Sequence, residues 1–151
     1  MSEAPPVPQK KKKKGKNEKT SRASLRVELS VFFLFLGVLF AVAAYFSYTS
    51  LQGNDIPLWG LRRDLAISIP LGVIAILHLI SGLLVAVIPH PNVAVVGGVA
   101  SVLPALFYYA LMITVLGQAP INLIALLLIT TPIIVWSRVA KYLSSDEPIA
   151  S

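Results

Sequence analysis

The chain of 151 residues contains no cysteine, which excludes disulfides, thiolate metal sites, iron–sulfur clusters and thiol redox chemistry together. Charge is nearly as scarce. Only 13% of the residues are Asp, Glu, Lys or Arg, against 56% hydrophobic ones. Between Asp64 and Arg138 none of the four occurs, and a small soluble unit could not keep so long an uncharged stretch folded in water. No N-x-Ser/Thr acceptor is present either, so nothing marks a glycosylated face.

Catalytic groupings are missing as well. There is no Ser-His-Asp set at a plausible depth, no paired carboxylates, no metal-ligand cluster and no glycine-rich phosphate loop, so the expectation is a protein that is not an enzyme and carries no cofactor. Four-span families defined by cysteines, such as tetraspanins, claudins and quinone-linked thiol oxidoreductases, are excluded. The small four-helix multidrug exporters need an acidic residue in their first helix, and no Asp or Glu lies within any apolar block beyond residue 28.

What the sequence does contain is a series of apolar blocks without the period of a half-buried surface helix or strand. Lipid is the solvent that suits them. Residues 1–28, with Pro5, Pro6, Pro8 and a lysine run, hold too little apolar surface to offset the entropy of ordering and read as a disordered basic tail. The first helix is expected over about 29–51, long enough to cross a hydrocarbon core of about 30 Å at 1.5 Å per residue. Its apolar run includes Ala41-Val42-Ala43-Ala44, an acceptable cleavage pattern for a signal peptide. The unusually long charged region before it and the apolar run beyond it favour a retained span.

Residues 52–64 form the one substantial loop, with Trp59 at an interface position and the Arg62-Arg63-Asp64 group. Two punctuations divide the rest. Pro89-His90-Pro91-Asn92 breaks any helix, and Gly117-Gln118-Ala119-Pro120 stops one and starts another. Further helices are expected at about 65–88, 93–116 and 120–142, with a short tail at 143–151. The fold class is therefore all-α, an integral membrane four-helix bundle. Short connections force helices two to four to lie antiparallel as neighbours.

The formal charge of +6 is concentrated in the tail, where Lys10, Lys11, Lys12, Lys13, Lys14, Lys16, Lys19, Arg22 and Arg26 lie. Four spans put both termini on one side. Eleven basic residues there, Arg138 and Lys141 included, face two in the 52–64 loop, so both termini are expected in the cytoplasm; the membrane is expected to be the plasma (inner) membrane, with an organelle membrane as the alternative. The same cations are expected to contact anionic lipid headgroups, and no nucleic-acid partner is expected.

Small residues recur four apart on shared helix faces: Gly37 and Ala41, Gly82 and Ala86, Ala94 and Gly98, Gly97 and Ser101. This spacing allows close helix packing within the bundle or against a partner. Pro70, Pro104 and Pro132 each fall inside a span and free the carbonyls of Ala66, Ala100 and Leu128. Ser101, Thr130 and Thr131 stand where they could satisfy such carbonyls.

His78 is the one ionisable side chain well inside a span, where the alternatives are a neutral imidazole bonded to a serine or backbone carbonyl, a proton relay, or a metal or haem ligand. His90 is twelve residues on, about 18 Å along a helix, too far to share a haem. Asn122 can cap helix four or bond across helices. The functional expectation is a small non-catalytic accessory or assembly subunit packing against other membrane subunits or itself. The alternative is a small oligomeric transporter or channel built on proline-kinked helices and His78.

Overall fold

The computed structural model describes residues 22–52, 61–116 and 123–144. They form four α-helices: α1 Arg22–Leu51, α2 Arg63–Val87, α3 Pro91–Leu116 and α4 Leu123–Leu143. Each is long and apolar enough to cross a bilayer, and the chain is a multi-pass membrane protein. Each helix packs on the next in sequence and α4 closes back on α1, while the backbones of α1 and α3, or of α2 and α4, make no close approach. The bundle is thus a closed ring of four. The tail lysines Lys10 to Lys14, the loop around Trp59, and Asn122 lie outside the described residues.

The first helix begins at Arg22, seven residues before the boundary expected from the end of the charged tail. The correction has a tertiary cause. Leu25 and Leu29 are buried in one core cluster with Val139 and Tyr142 of α4, the Arg22 guanidinium lies 5.5 Å from the Tyr142 ring centroid, and Glu28 forms ion pairs with Arg138 and Lys141. A charged sequence that would not hold a helix alone is ordered by the helix it touches. The same contacts bring the start of α1 and the end of α4 to one end of the bundle. Arg138 and Lys141 therefore join two helices, besides any headgroup contact they make.

Those ion pairs are half-exposed, and screening leaves such pairs with little energy. Glu28→Gln is expected to lower stability by less than about 1 kcal/mol. Thermal unfolding of the detergent-solubilised chain checks this, and a larger loss would show that the ion pairs, rather than Leu25 and Leu29, hold the α1 extension.

The most extensive contact in the bundle is between α1 and α2, and its cause is a reciprocal fit of leucine on glycine. Leu79 of α2 sits on Gly37, and Leu34 of α1 sits on Gly82, so that a Cβ built on either glycine would fall 2.6 Å or 2.8 Å from a leucine Cγ. The Ser30 hydroxyl donates to the Gly82 carbonyl at 2.8 Å across this contact. Between α2 and α3 the close approach is at Gly97, where a Cβ would meet Ser81 at 3.1 Å, and Gly98 faces Trp136 and Val139 of α4. Ala94 is buried too. Ala41 and Ala86 face outward, so each of the first two four-residue pairs packs inside the bundle through its glycine alone.

Local chemistry fixes the helix starts. Pro91 opens α3, where its missing N–H costs nothing and its fixed φ suits the first turn. His90 Nδ1 accepts the Asn92 N–H at 3.2 Å. At the start of α2, Asp64 is almost fully buried and takes a two-point contact from Arg62, with 2.8 and 3.2 Å distances. All three internal prolines lie within continuous helix.

The neighbouring hydroxyls do not serve the carbonyls those prolines free. Ser101 donates to Gly97 at 2.7 Å and Thr130 to Leu126 at 2.8 Å, each to the carbonyl four residues back, whereas Thr131 has no partner among the described residues. The donors sit one to three residues before the proline. Their reach backward takes them past the freed carbonyl, except from Thr131, which turns into the core.

Candidate functional site

The buried apolar residues divide into two clusters stacked along the bundle. One holds Phe33, Leu36, Val85, Ala94 and Val135. The other holds Phe40, Ile74, Ala75, Ala105 and Leu128. In every helix the buried positions between them include small or polar residues: Gly37 in α1, His78 and Ser81 in α2, Gly97 and Ser101 in α3, Thr131 in α4. The four polar ones are buried. A polar layer therefore crosses the core at mid-height, the depth at which polar groups are least tolerated by lipid.

The layer has a satisfied side and an unsatisfied one. On the α2–α3 side, Ser81 donates to the Leu77 carbonyl at 2.7 Å and lies 3.3 Å from the Gly97 carbonyl. Ser101 approaches the Ser81 hydroxyl at 3.4 Å. These bonds tie two helices together without an ionisable group.

On the other side, His78 is completely buried between two rings of α1, with centroids of Phe40 and Phe33 at 5.2 and 6.2 Å. Its Nδ1 stands 2.8 Å from the Ile74 carbonyl. That oxygen can only accept, so Nδ1 carries the proton and Nε2 is left with a bare lone pair. Nε2 and the Thr131 hydroxyl are both buried with no hydrogen-bond partner among the described residues, an uncommon condition for core polar atoms. His90 sits at the exposed rim of the bundle. Among the described residues no group of three His, Asp or Glu gathers in metal-binding fashion.

A second feature lies on the outside. Toward the end opposite Glu28, α1 and α4 leave a groove of about 740 Å³, walled by residues such as Val42, Phe46, Leu123 and Leu127, with Ile67 and Arg63 of α2 at its side. The Arg63 side chain makes no ion pair or hydrogen bond among the described residues, in contrast to that of its neighbour Arg62.

Sequence reasoning singled out His78 and Ser101, which the fold places at one depth. It did not single out Ser30, Ser81 or the groove. The serines offered no signal, because a hydroxyl in an apolar run bonds its own helix as readily as another. For Arg63 the only signal was its place beside Arg62 and Asp64, which cannot say which arginine the carboxylate takes. The chain matches no protein-family model, no curated protein and no solved structure.

Proposed function

We propose that this chain is a small non-catalytic membrane protein that serves as an accessory or assembly subunit, packing through its outer helix faces against partner membrane proteins. The observation that carries this reading is the direction of its polar groups. His78, Ser81, Ser101 and Thr131 turn inward, and the exposed hydroxyls of Thr49, Thr130 and Ser137 bond carbonyls of their own helices. The outer faces present exposed Phe35, Phe46, Phe107 and Trp136 with aliphatic residues. Such a surface offers shape and dispersion contact, the currency of helix association in lipid.

A small oligomeric transporter or channel is the second reading, favoured by the unpartnered His78 Nε2 and Thr131 hydroxyl at mid-height. Blue native electrophoresis of the tagged full chain in mild detergent separates the two. Co-migration with other subunits supports the accessory role, and a discrete homo-oligomer supports a pore or carrier.

We propose that both termini lie in the cytoplasm, on the asymmetry of eleven basic residues against two, and that the membrane is the plasma (inner) membrane, with an organelle membrane as the alternative. The absence of cysteine makes it directly testable. In intact cells an impermeant thiol reagent is expected to label Asn54→Cys and to spare Pro5→Cys and Pro148→Cys. The opposite pattern reverses the orientation.

A further inference from the structure

We propose that the groove between α1 and α4 is a specific site for one membrane phospholipid with an anionic headgroup, its phosphate held by Arg63 and one acyl chain lying between Val42 and Phe46 of α1 and Leu123 and Leu127 of α4. The site stands independently of any protein partner.

Length selects this occupant. Along α1 the groove runs from Leu39 to Leu51, twelve residues or about 18 Å of helix. The hydrocarbon core is about 30 Å thick, so the groove is close to one leaflet deep. Beyond it α1 and α4 are drawn together by the Glu28 ion pairs and by the cluster of Leu25, Leu29, Val135 and Val139. A partner's spanning helix would need a furrow through both leaflets. A lipid of the leaflet distant from the N-terminal end needs only one.

Volume and chemistry agree with this. A cavity of about 740 Å³ lies within the range of roughly 300–1,000 Å³ typical of ligand clefts. Its walls are mostly aliphatic and aromatic, as an acyl chain requires. The polar groups near its end are Ser47, Ser50 and Arg63, at the level where α1 ends and α2 begins. Neither serine hydroxyl makes a hydrogen bond among the described residues, so both are available to ester or glycerol oxygens.

Arg63 is half-buried, and the nearby Asp64 carboxylate is engaged by Arg62. A planar guanidinium with no acidic partner among the described residues, beside an apolar slot at headgroup depth, fits a phosphodiester in two-point fashion. A zwitterionic headgroup brings its own cation to the phosphate and gains less.

The experiment uses the full chain in phosphatidylcholine nanodiscs doped with phosphatidylglycerol carrying a photoreactive acyl chain, with labelled residues mapped by mass spectrometry. Labels are expected on residues 42–50 of α1 and 123–127 of α4. Unlabelled phosphatidylglycerol should compete about tenfold better than phosphatidylcholine, the scale of one charge-assisted hydrogen bond. Arg63→Gln should abolish that preference, and Val42→Trp should remove the labels while leaving thermal unfolding unchanged. Changing Lys10 to Lys14 to glutamine should leave the preference intact, which separates the groove from headgroups gathered by the tail. Labels spread evenly over the outer faces of all four helices would overturn the site, as would a headgroup preference that survives Arg63→Gln or disappears with the tail lysines.

Discussion

Valine in place of Gly37 or Gly82 is expected to force α1 and α2 apart and to cost about 3 kcal/mol, the upper end of what overpacking a filled core costs. At Gly37 the new Cβ would lie 2.6 Å from Leu79 Cγ and 3.1 Å from the Ala75 carbonyl oxygen. At Gly82 it would lie 2.8 Å from Leu34 Cγ and 3.1 Å from the Leu34 backbone nitrogen. The leucine can turn away, but the backbone atoms behind it cannot without moving the helix. Alanine at either site should cost about 1 kcal/mol, and part of the Gly37→Ala loss should return when Leu79 is also cut to alanine.

Gly72 supplies the contrast. A Cβ there meets nothing within 4 Å, so Gly72→Ala should be neutral or should stabilise by up to about 1 kcal/mol through helix propensity alone. Unfolding by denaturing detergent in mixed micelles measures all of these. Equal effects at Gly37 and Gly72 would mean that the leucine–glycine fit does not hold α1 to α2.

His78→Lys is expected to lower insertion or accumulation by about 3 kcal/mol, the cost of a cation at the centre of a span, because the site between Phe33 and Phe40 is fully closed. The neutral replacements should behave otherwise. The Ile74 carbonyl belongs to the helical ladder whether or not the imidazole reaches it, so His78→Leu leaves no backbone group orphaned. It also removes Nε2, a buried acceptor with no partner among the described residues, and such atoms cost stability. His78→Leu and His78→Gln should therefore both accumulate at wild-type levels, with stability changed by less than about 1 kcal/mol.

Function discriminates what stability does not. Under the accessory reading both neutral variants still assemble with partners. If His78 relays protons or holds a ligand, glutamine cannot titrate near neutral pH, and His78→Gln gives an abundant protein without activity. That outcome would move the transporter reading ahead of the accessory one.

The sequence by itself determined the solvent and the number of spans. An uncharged run from Leu65 to Ser137 permits nothing but lipid, and two proline-containing breaks suffice to cut it, because in hydrocarbon every backbone polar group must be paired within its own helix. What hydrophobicity could not show is which face of each helix looks inward. In water the apolar stripe marks the core, but here the exposed faces carry Phe35, Ile76, Leu103 and Ile133 while the buried ones carry Phe33, Ile74, Ala105 and Val135, and the two sets are chemically alike. Small and polar residues marked the interior instead, as Gly37, Gly82, His78 and Ser101 did.

Tertiary structure alone decided the rest. It drew residues Arg22 to Glu28 into α1 by giving Leu25 and Glu28 partners at the far end of the sequence, Lys141 among them at a separation of 113 residues from Glu28. It set His78, Ser81, Ser101 and Thr131 at one depth, and it set the groove beside Arg63, which has no acidic partner among the described residues. The α1 extension and the shared depth of the polar layer depend on distances between helices, which are fixed by side-chain packing and leave no trace in the order of residues along a single one, whereas the choice of Arg62 over Arg63 by Asp64 is made by local geometry at the start of α2.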